Sequence, residues 1–173
     1  MPNHNRILIT GAPGSGKTTL IKKIAGNIKR PYFGFFTSEI RQHGNRVGFD
    51  VESFSGQKGL LANVNINSSY KVSKYGVDIE AFENISVYQM RQALDTDSLL
   101  IIDEIGKMEL FSEKFKALLR EAFMSDIRLI ATIMHKPQPF CDGLKKSPGT
   151  QLFILGRDNQ GEILNSVFQF IEE

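Results

Sequence analysis

Apolar residues along this chain form short continuous runs that alternate with segments of helical spacing. Runs of strand length cover Ile7–Thr10, Tyr32–Thr37, Leu99–Ile102, Leu129–Ile133 and Leu152–Leu155. Continuous apolar runs are typical of strands that are buried on both faces, as in a parallel sheet. Helical spacing of apolar residues is found over 20–28, 111–123 and 163–171, and more weakly over 87–94. This alternation predicts an α/β protein in which helices cover both faces of a mainly parallel sheet, making three layers.

Two regions interrupt the alternation. Between Gly34 and about Tyr75 no helical pattern is found, and four extended segments follow one another: Phe35–Gln42, Arg46–Phe54, Leu60–Ile66 and Tyr70–Val77. We expect a β-hairpin or meander inserted into the core at about residues 38–77. The stretch 135–150 is rich in proline, glycine and lysine, and it predicts a lid-like loop.

A phosphate-binding loop lies between the first apolar run and the first helical pattern. The pattern G-x-x-x-x-G-K-[ST] is matched by Gly11, Ala12, Pro13, Gly14, Ser15, Gly16, Lys17 and Thr18. Glycines let backbone N–H groups surround phosphate oxygens, and the following helix N-terminus adds positive charge. We expect Lys17 to reach the β- and γ-phosphates, Thr18 to bind Mg²⁺ and Thr19 to hold the α-phosphate. The loop therefore predicts a nucleoside triphosphate as ligand.

A second motif ends the third apolar run in two carboxylates. This Walker B strand and loop comprises Leu99, Leu100, Ile101, Ile102, Asp103, Glu104, Ile105 and Gly106. Asp103 is the expected second Mg²⁺ ligand, because Mg²⁺ prefers one or two carboxylates together with water and phosphate oxygens. Glu104 is placed to act as the general base that activates water. The pair favours hydrolysis over simple binding.

Other polar residues are candidates for the same site. Thr132, in the neighbouring predicted strand, and His135, just after it, could sense the γ-phosphate. Residues 103–106 also match D-x-x-G, a motif of GTPases. However, the guanine-reading motif N-K-x-D is absent from the sequence, which argues against a guanine-specific switch.

Composition limits the remaining possibilities. The 173 residues suit one domain, 1–173, and the net charge of +2 gives no indication of a nucleic-acid or membrane partner. Cys141 is the only cysteine, and neither a signal-peptide pattern nor a long apolar stretch is found. We therefore expect a cytoplasmic protein. The sequence does not predict an oligomeric state.

Several segments together resemble the nucleoside-triphosphatase family first described from thermophiles, which has a human relative called cancer-related nucleoside-triphosphatase. The resemblance is carried by Gly11–Thr19, Gly34–Arg41, Gly44–Val51, Lys74–Asp78, Ala81–Glu83 and above all Ile102–Phe111. It implies a single-domain P-loop NTPase with a RecA-like core. It also implies Mg²⁺-dependent hydrolysis of ATP, GTP, CTP and UTP to the diphosphate and phosphate, with little base selectivity.

The family-like pattern R-x-x-G-x-R-x-G-F places two arginines in the inserted hairpin. Arg46, and less clearly Arg41, could stabilise charge on the γ-phosphate as an arginine finger does. Arg157 follows the last predicted strand, where it could approach the base. Lys17, Glu104 and Arg46 are thus the predicted catalytic residues.

Two other functions remain open from the residues alone. A small-molecule or nucleotide kinase would use the same loop and a lid. A nucleotide-regulated module that binds RNA or protein could dock through Tyr70 and Tyr75, which lie near Lys71 and Lys74.

Overall fold

The structure is a computed structural model that describes residues 4–173. Residues 1–3 of the predicted domain 1–173 lie outside the described residues. The strands are β1 (Arg6–Thr10), β2 (Tyr32–Gln42), β3 (Asn45–Ser53), β4 (Lys58–Asn63), β5 (Lys71–Val72), β6 (Tyr75–Val77), β7 (Leu99–Ile105), β8 (Leu129–Ile133) and β9 (Thr150–Ile154). The helices are α1 (Lys17–Ala25), α2 (Ile79–Asp95), α3 (Glu113–Met124), α4 (Pro139–Lys145) and α5 (Gln160–Glu172), and a 3₁₀ turn covers Glu109–Phe111.

One mixed sheet contains these strands in the order β5-β6-β4-β3-β2-β7-β8-β1-β9. Strands β2, β7, β8, β1 and β9 pair in parallel and are named here the parallel half. Strands β3, β4, β6 and β5 pair antiparallel and are named the antiparallel half. β2 joins the halves, because Tyr32–Phe36 pairs with β7 and Phe35–Gln42 pairs with β3. The predicted α/β fold is confirmed, and the predicted meander continues the same sheet.

The parallel half is covered by helices on both faces. On one face, Leu8 and Ile102 pack in a cluster with Phe82 of α2 and Phe115 of α3. On the other face, alternate strand residues pack with α1 and α5 in a second cluster that includes Ile7, Ile101, Leu20 and Val167. Because successive strand residues point to opposite faces, both faces need apolar side chains. This explains the continuous apolar runs in the sequence.

Helix α2 is longer than its weak sequence pattern over 87–94 predicted. Its N-cap is Asp78, whose carboxylate accepts a hydrogen bond from the backbone N–H of Ala81 at 2.9 Å. The buried face of the helix also includes the polar side chain of Gln89, whose Oε1 accepts the backbone N–H of Gly34 at 3.1 Å. A buried glutamine weakens the apolar pattern, although its hydrogen bond offsets the cost of burial.

Two predictions of local structure need correction. The segment Tyr70–Val77, predicted as one extended piece, forms β5 and β6, which pair antiparallel around Ser73 at φ 55°. The stretch 135–150, predicted as a loop, contains α4. The side chain of Gln138 caps α4 by accepting the N–H of Cys141 at 2.8 Å, and Pro139 suits the first turn because a helix leaves that N–H unpaired.

The other predicted elements are confirmed to within a few residues. β8 has its predicted bounds, and Ser112 caps α3 as expected, with its Oγ accepting the N–H of Phe115 at 3.0 Å. Within residues 4–173, none of the helices is long and apolar enough to cross a membrane.

Candidate functional site

The carboxyl ends of β1, β7 and β8 meet at one edge of the sheet, where parallel α/β folds bind their ligands. A cavity of about 820 Å³ opens there. It is lined by residues of the two motifs, which are Gly11, Gly16, Lys17, Thr18, Asp103 and Glu104, and by residues of β2 and the antiparallel half, which are Thr37, Glu39, Arg46, Phe49, Leu61 and Val72. The two sequence motifs, which are more than 80 residues apart, therefore line the same cavity.

The phosphate-binding loop has the conformation that its glycines were expected to permit. Gly16, the N-cap of α1, is left-handed at φ 94°, a conformation that other residues adopt only with strain. A side chain at Gly11 would lie 2.8 Å from the carbonyl oxygen of Leu155 and from Ser15 Oγ. The loop therefore depends on glycine at both positions.

Lys17 lies across this loop. Its Nζ donates to the carbonyl oxygen of Gly11 at 2.9 Å and lies 3.9 Å from Glu104 Oε2. One ammonium group thus links the loop to the acid that follows β7. A phosphate held by the loop amides would lie next to this charge.

Asp103 is held by two hydroxyl groups at the end of β7. Thr18 Oγ1 donates to its Oδ2 at 2.8 Å and Thr132 Oγ1 donates to its Oδ1 at 2.6 Å. Burial raises the pKa of Asp103, whereas the hydroxyls of Thr132 and Thr18 and the charge of Lys17 lower it. A carboxylate and a hydroxyl that converge in this way are the hard oxygen donors that suit Mg²⁺.

Thr132 therefore has a different contact from the one that the sequence suggested. It was a candidate for sensing the γ-phosphate, but its side chain is completely buried behind Asp103. It fixes one carboxylate oxygen and leaves the hydroxyl of Thr18 on the cavity side. Its structural contribution is the orientation of Asp103.

Glu104 is the acid that remains open to the cavity. Its side chain is one-third exposed, at 33%. Burial raises the pKa of Glu104, the charge of Lys17 opposes that rise, and Asp103 adds to it. A carboxylate with a raised pKa is a stronger base than an exposed one, so Glu104 is suited to removing a proton from water.

The antiparallel half contributes Arg46 to the cavity. Its Nε donates to the hydroxyl of Tyr75 at 3.0 Å and its Nη1 donates to Glu39 Oε1 at 2.9 Å. Hydrogen bonds to Tyr75 and Glu39 raise the pKa of Arg46. Its guanidinium also lies over the rings of Phe49 and Tyr75. These contacts fix the side chain in one position.

The other basic candidates are exposed, and only His135 of the three lines the cavity. Arg41 is exposed, bonds to Glu39 and the carbonyl oxygen of Gly44, and is not among the residues that line the cavity. His135 is exposed at the cavity rim. Arg157 is exposed after β9 and does not line the described cavity.

The predicted docking surface of the hairpin is smaller than expected. Tyr75 is buried against Phe49, with ring centroids 5.3 Å apart, and its hydroxyl donates to the carbonyl oxygen of Arg46. Only Tyr70 of the two tyrosines is exposed, and its ring packs on Phe111. Tyr75 is therefore not available to stack on a base.

Sequence reasoning missed half of the cavity residues, which are Thr37, Ser38, Glu39, Phe49, Leu61, Val72, Lys107, Met108, Glu109, Met134 and Lys136. Glu109 carried a usable signal, because it is an acid inside the short run Met108-Glu109-Leu110-Phe111. If this run folds back against β7, the strand before it, the glutamate side chain points toward the core. The others depend on which strands become neighbours.

Known proteins resemble this chain over almost its whole length. The model of the family described as NTPase matches residues 6–168. Nucleoside-triphosphatase THEP1 of Thermotoga sp. (strain RQ2) is 39% identical over 167 residues, covering 96% of this chain and 95% of that protein. The human cancer-related nucleoside-triphosphatase is 32% identical, with 96% of each chain covered.

Solved structures extend the similarity to the fold. The crystal structure of THEP1 from the hyperthermophile Aquifex aeolicus is 35% identical and superposes with a TM-score of 0.88, covering 97% of this chain and 99% of that one. The solution structure of a human cancer-related nucleoside triphosphatase gives a TM-score of 0.82 at 32% identity, with 97% of each chain covered. The chain therefore belongs to the nucleoside-triphosphatase family, as its motifs indicated.

Proposed function

We propose that the protein hydrolyses nucleoside triphosphates to the diphosphate and phosphate, in a Mg²⁺-dependent reaction with little base selectivity. The observation that carries the proposal is the convergence of three groups on one cavity. Lys17 bridges the loop and Glu104, and the Thr18–Asp103 pair lies beside them. Membership of the nucleoside-triphosphatase family supports hydrolysis. The oxygen atoms of Thr18 and Asp103 support Mg²⁺ as the metal.

Thr18 and Asp103 are the residues that would hold Mg²⁺. Their 2.8 Å contact brings a hydroxyl and a carboxylate to one point at the cavity wall. The ion, when bound, would neutralise part of the charge on the β- and γ-phosphates. Thr132 holds Asp103 in place from the buried side.

The chain's own groups account for the other steps. The loop amides and Lys17 bind the triphosphate, and Arg46 faces the same cavity with a charge that can stabilise the γ-phosphate. Glu104 accepts a proton from water. The water oxygen bonds to the γ-phosphorus, and the bond from that phosphorus to the bridging oxygen of the diphosphate breaks.

Little base selectivity follows from how the substrate is held. Backbone N–H groups and Lys17 contact phosphates, which ATP, GTP, CTP and UTP share. We therefore expect the kcat/KM values for the four nucleotides to lie within about tenfold of one another. A tenfold ratio corresponds to a difference of roughly 1.4 kcal/mol in activation free energy. A preference of more than about a hundredfold for one base would contradict this. Chelation of Mg²⁺ should abolish phosphate release, and added Mg²⁺ should restore it.

The decisive variant for the reaction is Glu104→Gln. It should lower kcat about 10²- to 10⁴-fold, because it removes the general base. Binding of a fluorescent ATP analogue should persist, since Lys17 and the loop are unchanged. Glu113→Gln is the matched control, because Glu113 is an exposed acid on α3 with a side chain 79% exposed. Phosphate release near the wild-type rate from Glu104→Gln would rule out the base.

A kinase is the second candidate, because the apolar side chains of Phe49, Leu61 and Val72 also line the cavity. An acceptor molecule could pack against them. Rapid phosphate release from ATP with no acceptor added favours hydrolysis. A strict requirement for an added acceptor would favour the kinase.

The proposed setting is the cytoplasm. Cys141 is free and buried, and burial raises the pKa of its thiol to about 11. A single buried thiol fits a reducing compartment.

A further inference from the structure

Glu109 is a buried acid that the proposed reaction does not use. It begins the 3₁₀ turn after β7, it is only 5% exposed, and it lines the edge of the cavity. Glutamate is among the residues least often buried, because removing its charge from water is costly. A buried acid beside a proposed active site is a candidate for a functional role.

Glu109 and Glu104 approach each other across Gly106. A methyl carbon built on Gly106 would lie 3.0 Å from Glu104 Oε1 and 3.1 Å from Glu109 Oε2. These two oxygens are therefore no more than about 6 Å apart. Any side chain at 106 would displace one of the two carboxyl groups. The glycine leaves the space in which the two acids lie side by side.

Glu109 has no salt-bridge partner in the part of the chain that the structure describes. Lys17 is paired with Glu104 instead. From the helices packed on the 3₁₀ turn, Glu83 of α2 and Lys114 of α3 pair with each other at 3.3 Å.

Other ionisable groups lie near Glu109. Asp103 and Glu104 lie on the β7 side, and the thiol of Cys141 approaches from α4. The remaining charged or titratable groups that line the cavity are Glu39, Arg46, Lys107, His135 and Lys136. The groups that act on the Glu109 carboxyl are the carboxylates of Glu104 and Asp103 and the backbone N–H groups of Glu109 and Gly106.

These surroundings favour the uncharged form of Glu109. Burial first, and the charge of Glu104 second, raise the pKa of Glu109 to about 8, while backbone N–H groups of Glu109 and Gly106 lower it in part. At neutral pH the carboxyl group is therefore mostly protonated. A protonated carboxyl can donate a hydrogen bond, and it adds no negative charge next to a triphosphate.

We propose that Glu109 is a positioning residue for Glu104: the buried carboxyl group of Glu109, which lies across Gly106 from that of Glu104, keeps the Glu104 carboxylate directed at the phosphate-binding loop. The inference rests on the proposed hydrolysis. In this role Glu109 would act through Glu104 and not on the substrate itself. Its ionisation at high pH would place a second negative charge beside Glu104 and disturb that orientation.

The test compares Glu109→Gln with Glu109→Ala in phosphate release from MgATP between pH 6 and 9.5. Glu109→Ala should lower kcat about 10- to 100-fold with little change in KM, because a misplaced catalytic group costs turnover rather than binding. Glutamine is neutral and nearly the same shape, so Glu109→Gln should restore most of kcat at pH 7. It should also keep its kcat/KM above pH 8, where the wild type declines. Glu113→Gln should follow the wild-type profile throughout.

Several results would overturn the inference. Equal losses of kcat in the two variants would show that the acid itself is required, and wild-type kcat in Glu109→Ala would show that position 109 has no role. If Glu109→Ala does not fold, as judged by its thermal transition, the pH profile of Glu109→Gln decides. A kcat/KM of Glu109→Gln that falls above pH 8 as the wild-type value does would reject the inference. A wild type that releases no phosphate would reject the proposed function, and this inference with it.

Discussion

The two halves of the sheet differ in burial, and the candidate site divides between them in the same way. β1, β7 and β8 are buried almost throughout between two helical layers. β3 and β4 contain both buried and partly exposed residues, with α2 packed against them. The parallel half supplies the phosphate-binding loop, Asp103 and Glu104. The antiparallel half supplies Arg46 and an apolar wall.

This difference shows how each half fixes its side chains. In the parallel half, buried strands hold short side chains such as Asp103 within hydrogen-bonding distance of Thr18 and Thr132. In the antiparallel half, the long side chain of Arg46 reaches the cavity from an exposed strand end, and Glu39 and Tyr75 restrain it. The Mg²⁺-ligand candidate Asp103 and the proposed base Glu104 are thus carried by the more buried half.

The largest effect should come from the loop of the parallel half. Lys17→Met removes the charge that joins the loop to Glu104, and we expect the Kd of a fluorescent ATP analogue to rise by about 100-fold or more. Lys23→Met is the control, because Lys23 is exposed on the same helix. Unchanged nucleotide affinity in Lys17→Met would mean that the ligand does not contact this loop.

Arg46→Ala tests whether the antiparallel half takes part in the chemistry. We expect kcat to fall about 10- to 100-fold, because a fixed guanidinium facing the cavity is lost. Arg41→Ala should remain near the wild-type rate, since Arg41 lies outside the cavity lining. Steady-state kinetics measure kcat of both variants. Equal and small losses of kcat would mean that Arg46 takes no part in the reaction and that the parallel half alone forms the active site.

Thr132→Val tests how the parallel half holds its carboxylate. The variant removes the 2.6 Å hydrogen bond to Asp103, which should cost about 1–3 kcal/mol of unfolding free energy and about tenfold in kcat/KM. Thr150→Val is the control, because the buried hydroxyl of Thr150 has no hydrogen-bond partner among residues 4–173. Denaturant unfolding measures both variants, and equal stability losses would contradict the assigned contact.

The smallest effect on activity at pH 7, and a gain in stability, is expected for Glu109→Gln. The folded-state pKa of Glu109 is raised to about 8 from its ordinary value of 4.5, so the unfolded chain binds fewer protons between these values. The wild type should therefore lose stability as pH rises from about 4.5 to 8. Glu109→Gln should melt several degrees higher than the wild type at pH 8, and at the same temperature near pH 4. A gain that is independent of pH would exclude ionisation as its cause.

The sequence predicted most of the parallel half but less of the rest. Continuous apolar runs indicated β1, β7 and β8, because burial on both faces leaves a strong local pattern. Helix α2 was predicted only in part, since the buried Gln89 interrupts its apolar face. Helix α4 was missed, because a helix of seven residues has too few turns to show a period.

Local order along the chain determined the phosphate-binding loop, the carboxylate pair that ends β7 and the α/β alternation. Each of these depends on residues within one element and on the few that follow it. The tertiary structure alone decided that Thr132 holds Asp103 and that Tyr75 holds Arg46, since each pair is 29 positions apart in the chain. It also decided that Glu109 lies beside Glu104 across Gly106. Those contacts depend on which strands are neighbours and on how tightly the chain folds back, and neither leaves a periodic pattern in the sequence.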